Sequence, residues 1–434
     1  MIHPASASVL RRSTDDAGPG MDSARGARNE AGGAGRPDLT RRTVVRALVA
    51  AAAGAALPLP LAAASPVLLG LDAEFGLAHS TSAQAIELGM RVAIDEINRA
   101  GGVLGGRPLQ LVTRDHRSIP ARGVRNLEQL AALPDLVAVF GGRFSPVVIE
   151  QLPLIAKLRL PFMAVWSSAD MITDNGMQPN YVFRLSLRDS IAMPKLLSSA
   201  SARGLAPVGM LLTNTSWGRS NLAAAEQHVR QGGKPAIAAV AWFNAADRSF
   251  IEKYLGLVDS GARAVILVGN DEEGATLVRE VAGLPRQRRV PIISHWGITG
   301  GEFFTQAGAA LREVDLSVIQ TFSFFRADPG AVQRFLRTAA QVSEGRVRRI
   351  ENIDAPVGAA HAYDATHIVA RAVEQAGSTR REAVRDALER LGSYDGLIKR
   401  YSPPFTPTRH DALGPAELLM TRYREDGILV PVEQ

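Results

Sequence analysis

Cysteine is absent from the 434 residues. That excludes disulfides, thiolate metal sites and a cysteine nucleophile. It also excludes a lipoprotein anchor, which needs a cysteine at the cleavage site. The surplus of positive charge is small. The formal charge is +6, and residues 1–64 carry eight arginines against five acids, so only +3 remains beyond them. No Arg/Lys stripe with interleaved aromatics is present, and nothing argues for nucleic acid. The densest basic run, Arg346-Val347-Arg348-Arg349, reads as a solvated helix end or loop.

Catalytic signatures are missing too. There is no H-E-x-x-H, no G-x-S-x-G and no G-x-G-x-x-G after a strand. Residues 269–276 have the glycine spacing of a phosphate loop but lack its lysine, and their three acids would repel phosphate. His361 and His367 are six apart, where four would align two metal ligands on a helix face. The expectation is a protein without metal, cofactor or catalytic residues, with an exported hydrolase as a remote alternative.

What is present is a globular composition: 46% hydrophobic and 21% charged residues, enough for one large domain or two ordinary ones. Residues 1–39 are rich in Gly, Ala, Arg and Asp without a hydrophobic period and read as disordered; Met21 offers a second start. Thr40-Arg41-Arg42-Thr43 then precedes an apolar run to Leu61 and the small residues Ala62-Ala63-Ala64. Basic flank, apolar middle and A-x-A end make a signal peptide of the twin-arginine type, cleaved near Ala64. Pro58 and Pro60 interrupt the run, which argues against a membrane span.

From residue 66 the chain alternates strands and helices. Strands are expected at 66–71, 109–112, 136–140 and 161–165, with helices at 80–100, near 121–132 and from 146. On the first helix Ala83, Ile86, Met90, Ala93, Ile94 and Ile97 share one face. After a break the series resumes with strands at 208–212, 236–243, 264–268 and 290–294 and helices at 221–231, 249–259 and 272–282. Helices near 330–341, 356–375 and 380–391 follow, and residues from 396 look strand-like. Such alternation predicts an α/β protein with parallel sheets covered on both faces. Two series suggest two similar Rossmann-like lobes.

Ligands of parallel sheets sit beyond the carboxyl ends of the strands. Here those ends carry hydroxyls, glycines and aromatics: Gly142-Arg143-Phe144-Ser145, Trp166-Ser167-Ser168, Ser216-Trp217-Gly218 and His295-Trp296-Gly297.

The stretch Ala93-Ile94-Asp95-Glu96-Ile97-Asn98-Arg99-Ala100-Gly101-Gly102-Val103-Leu104-Gly105-Gly106-Arg107-Pro108-Leu109 resembles the first-helix signature of periplasmic branched-chain amino-acid-binding proteins. These are the type I solute-binding proteins of ABC transporters. Gly141–Ser145, Trp166–Ala169, Ser216–Ser220, Ala362–Ala365 and Ser402–Asp411 resemble further elements of that family, in order, so the resemblance runs from 66 to 434.

The resemblance implies two lobes joined by three crossovers, placed near Arg188, near Thr321 and near 396–401. Lobe 1 would hold 66–188 and 321–395, and lobe 2 would hold 189–320 and 396–434. It implies a periplasmic monomer that closes on a small amino-acid-like ligand and delivers it to an ABC permease, touching the membrane only through that partner. A ligand-sensing subunit for a signalling partner is the alternative. For an amino acid, Ser145 and Ser168 are the candidate carboxylate partners. Trp217 would stack on the ligand from the second lobe, and Phe144, Trp166, His295 and Trp296 would complete the wall. Where the family often places an acid for the ammonium, this chain reads His295-Trp296-Gly297; Glu302 lies further along, and Glu74, Asp271 and Glu272 remain. The extra tryptophans point to a ligand bulkier than leucine, aromatic or amide-like.

Overall fold

The computed structural model describes residues 65–432. The expected export segment lies outside them. The chain opens with β1 (Val67–Ala73), α1 (Ser82–Arg99), β2 (Leu109–Asp115), α2 (Pro120–Ala131), β3 (Leu136–Gly141), α3 (Ser145–Leu158), β4 (Phe162–Ala164) and β5 (Val182–Arg184). It continues with α4 (Asp189–Ala202), β6 (Val208–Thr213), α5 (Ser216–Arg230), β7 (Ile237–Phe243), α6 (Ile251–Asp259), β8 (Ala264–Val268), α7 (Asp271–Ala282), β9 (Ile292–Ser294), α8 (Phe303–Ala307) and β10 (Leu316–Gln320). The helices α9 (Pro329–Val342), α10 (Pro356–Ala376) and α11 (Arg381–Leu388) follow. The short pair β11 (Tyr394–Asp395) and β12 (Arg400–Tyr401), then β13 (Leu419–Tyr423) and β14 (Leu429–Pro431), complete the chain.

β1–β5 form one parallel sheet in the order β2-β1-β3-β4-β5. The second sheet runs β14-β13-β10-β9-β8-β6-β7, parallel from β10 to β7, with β13 and β14 antiparallel at its edge. Strands such as β3 and β8 are buried along their whole length, as helices on both faces require. This is the two-lobed α/β architecture that the alternation predicts.

The first lobe is completed by helices from late in the chain. α10 starts with Pro356 at its first turn and ends at Gly377 in the left-handed region (φ 57°). It packs along α1 so closely that a Cβ on Gly89 would meet the Ala359 carbonyl at 2.1 Å. α9 joins them: Thr338 Oγ1 and Tyr363 Oη donate to Glu96 of α1 at 3.1 and 2.6 Å.

The chain leaves the first lobe between β5 and α4, returns between β10 and α9, and leaves again before β13. The last passage falls later than residues 396–401, where the sequence suggests it. Tyr401 still donates to Asp364 of α10 at 2.8 Å, and Phe405 and His410 pack on Phe183 of β5 at 5.0 and 4.1 Å. The physical reason is that the first sheet's β5 edge needs a cover, which residues 394–411 provide. A network of ion pairs around buried Arg184 ties two of these passages. Arg184 Nε donates to Asp411 Oδ1 at 2.6 Å, and Arg188 reaches Asp411 Oδ2 at 3.2 Å and Asp170 Oδ1 at 3.0 Å.

No helix of the described residues is long and apolar enough to cross a membrane.

Candidate functional site

The carboxyl ends of both sheets face each other, and the residues after the strands meet between them. From the first lobe come Glu74 after β1, Arg143 and Phe144 after β3, and Trp166 and Ser168 after β4. From the second come Trp217 at the start of α5, Asp271 at the start of α7, and His295 and Trp296 after β9.

The tryptophans form the contact. The rings of Trp166 and Trp296, from opposite lobes, lie 5.7 Å apart at 45°, and each residue is only 1% exposed. Such tilted aromatic pairs add about 1 kcal/mol beyond the area they bury. Trp217 meets His295 edge-on at 5.0 Å, and His295 leads to Trp296 at 6.1 Å. Two glycines make this possible. A Cβ on Gly358 would lie 2.7 Å from the Trp166 ring, and one on Gly297 would lie 2.6 Å from Trp217. Trp166, Trp217, His295 and Trp296 are thus assembled into one buried cluster.

Ser145 and Ser168 are also joined, but to each other. Ser145 Oγ accepts from the backbone N–H groups of Ser168 and Ala169 at 3.3 Å, which locks the turn after β4 onto the start of α3. Phe144 stands apart from the tryptophans in a second group, edge-on to His116 at 6.4 Å and beneath the Arg143 guanidinium at 4.8 Å. Glu302 pairs with His79, and both are largely exposed. Glu272 is exposed on α7.

A charged cluster closes the other side. Arg143 Nη1 donates across the lobes to Asp271 Oδ1 at 2.7 Å, with both side chains at least 97% buried. Glu74, fully buried, accepts from the Ser82 hydroxyl and from the Arg143 backbone N–H. Burial holds the His116 imidazole below its ordinary pKa, against the pull of Glu74. Burial likewise pushes Asp72 up to about 7, although Asn126 and Gln151 each donate to it at 2.7 Å. His361 is pushed down to about 4 by burial; it is bonded to the Val165 carbonyl and the Thr321 hydroxyl, a structural role under Trp296.

Sequence reading passed over one buried acid. Asp189, at the start of α4, has no exposed surface; its Oδ1 accepts from Trp217 Nε1 at 3.3 Å and lies 3.3 Å from His295 Nε2. Its only signal in the sequence is its place, directly after an expected crossover. Other contacts also join the lobes, with Thr81 N–H donating to the Gly300 carbonyl and Asp170 N–H to Ser220 Oγ, each at 3.0 Å. A separate cavity of about 370 Å³ flanks the second passage between lobes, walled by Phe322, Phe324 and Tyr423.

Among the described residues no three metal-ligating side chains cluster.

Solved structures share the fold. A type 1 periplasmic binding protein from Bordetella pertussis Tohama I matches with a TM-score of 0.75 at 19% identity, covering 85% of this chain and all of that one. A branched-chain amino acid transporter substrate binding protein from Streptococcus pneumoniae, in complex with isoleucine, gives 0.68 at 20%, covering 85% and 100%. A solute binding protein of an ABC transporter from R. palustris, in complex with 4-hydroxybenzoate, gives 0.71 at 16%, covering 85% and 96%. No curated protein matches the sequence. The model of a family described as periplasmic binding protein matches residues 72–423, and the chain belongs to that family of non-enzymatic solute-binding proteins.

Proposed function

We propose that this chain is the extracytoplasmic solute-binding component of an ABC uptake system, a monomer that closes two lobes on an amino acid or amino-acid-like molecule. The observation that carries this reading is the meeting of Trp166 and Trp296 from opposite lobes. A planar or apolar solute entering between those rings would touch both lobes at once, and a ligand that contacts both lobes stabilises closure. Trp217 and His295 extend the wall on the second lobe. Ser145, Ser168 and the backbone around them offer polar groups on the first, and Phe144 edges the Arg143 side.

The relatives bound to isoleucine and to 4-hydroxybenzoate support a small carboxylate-bearing solute and leave its class open. The twin arginines Arg41-Arg42 and the alanines to Ala64 fit an export signal that would deliver the chain to its permease. Replacing both arginines with lysine is expected to leave the protein in the cytoplasmic fraction.

A thermal-shift panel of amino acids, amides and small aromatic acids tests the proposal. A solute at 100 times its Kd adds about 2.7 kcal/mol to stability and raises the melting temperature visibly. A flat response across the whole panel would sink the reading.

A further inference from the structure

The positive charge beyond residue 64 is concentrated in one stretch. Residues 326–349 hold six arginines and two acids, a net +4, whereas residues 65–434 as a whole carry +3. The rest of that span therefore sums to −1. One of the two acids, Asp328, is taken up as the N-cap of α9, where it accepts the Ala331 N–H at 2.7 Å.

Arg326, Arg334, Arg337, Arg346, Arg348 and Arg349 are all exposed. Among the described residues none of them forms an ion pair, although arginines elsewhere do, such as Arg143, Arg184 and Arg203. The turn that carries three of them is built, not frayed. Ser343 Oγ accepts the Val347 N–H at 2.9 Å, and Asn352 Oδ1 accepts the Arg348 and Arg349 N–H groups at 3.2 Å. Val347 and Ile350 pack against the core, which leaves the arginines between them outside. Arg346 and Arg348 each give Nε to a carbonyl of the turn at 3.0 Å and keep their outer nitrogens for another partner.

The stretch folds into one surface. Arg334 and Arg337 are three apart on α9 and share a side. Arg337 and Arg348 line one depression, in which Glu344 is the acid. With α9 about 21 Å long, this is a strip rather than a pocket. Phe325, directly before Arg326, is 44% exposed and is the one aromatic among the large exposed apolar side chains of the described residues.

Guanidinium groups fork onto phosphate oxygens, and basic side chains near an anionic leaflet add to attachment one by one. A strip of arginines with an exposed phenylalanine at its start fits a plane of phosphates over an apolar layer. We propose that the outer side of α9 and the turn at 343–352 rest on an anionic lipid bilayer. The chain then touches the membrane directly, whatever solute the cleft takes.

Residues 65–434 lie within one compact unit, so they serve for the test without the apolar run before them. Cosedimentation compares vesicles of phosphatidylcholine alone with vesicles that also hold phosphatidylglycerol. The expected result is binding ~100-fold tighter to the second, lost as sodium chloride rises to about 0.5 M. Arg346→Gln, Arg348→Gln and Arg349→Gln together are expected to weaken it by ~100-fold. The melting temperature should stay put, because all three side chains are exposed. Arg248→Gln, Arg286→Gln and Arg312→Gln together remove the same charge from exposed sites on the second lobe and are expected to weaken binding far less. Equal binding to both vesicles, persistence in high salt, or equal losses from the two triple variants overturns the proposal. Retention by polyglutamate without vesicle binding would assign the strip to an acidic protein and overturns it as well.

Discussion

Asp72, buried, and Asp411, half-buried, are carboxylates that respond to acid in opposite ways. Burial raises Asp72 to about 7, so the native state holds a proton there that the unfolded chain releases near 3.9. Between those values the native state binds more protons, and stability falls as pH rises, by about 1.4 kcal/mol per pH unit for one proton. Asp72→Asn is expected to flatten the melting temperature between pH 5 and 7. For Asp411 burial raises the pKa, but the Arg184 and Arg188 guanidiniums outweigh it and hold the carboxyl below its ordinary range. Its contribution is present above the unfolded value and lost as pH falls through the depressed one. Removing its charge orphans Arg184, which has no exposed surface. Asp411→Asn should therefore cost about 3–5 kcal/mol in urea unfolding. At this scale the sequence is informative where residue type and strand end coincide: Trp166, Trp217, His295 and Trp296 stand just beyond strand ends and lie in one cluster. Asp189 is not legible in this way, because nothing in its type separates a buried acid from a helix-opening one.

α1 and α10 were legible within about two residues, whereas α5 begins at Ser216, ahead of the expected 221. The missed elements explain themselves. α4 is apolar on most sides, with Met193, Leu196 and Leu197 buried together and Pro194 inside it, so it shows little helical period. β5 has three residues, too few to alternate. β10 has five, all buried, and a short apolar run carries no period either. Close helix packing gives a test at this scale. A methyl on Gly89 meets the backbone of α10, which cannot swing aside as a side chain would. Gly89→Ala should push α1 from α10 and cost about 2 kcal/mol in the same unfolding assay.

Across the whole molecule, the Arg143–Asp271 pair joins the lobes while both charges are out of water. Breaking it leaves Arg143 with only the Glu74 carboxylate, at 3.9 Å, and opening the cleft rehydrates the guanidinium. Asp271→Ala is therefore expected to enlarge the radius of gyration of the unliganded protein in X-ray scattering, and ligand should reverse it. An unchanged radius would mean that the remaining contacts between the lobes hold them together without this pair. The aromatic contact has an optical consequence. Three of the four tryptophans lie at the junction, and the fourth, Trp242, lies on β7. Indoles held 5.7 Å apart couple their transitions. The chain thus carries its own spectroscopic gauge: parting Trp166 from Trp296 should abolish an exciton signal in near-ultraviolet circular dichroism, so that closure can be followed without a dye.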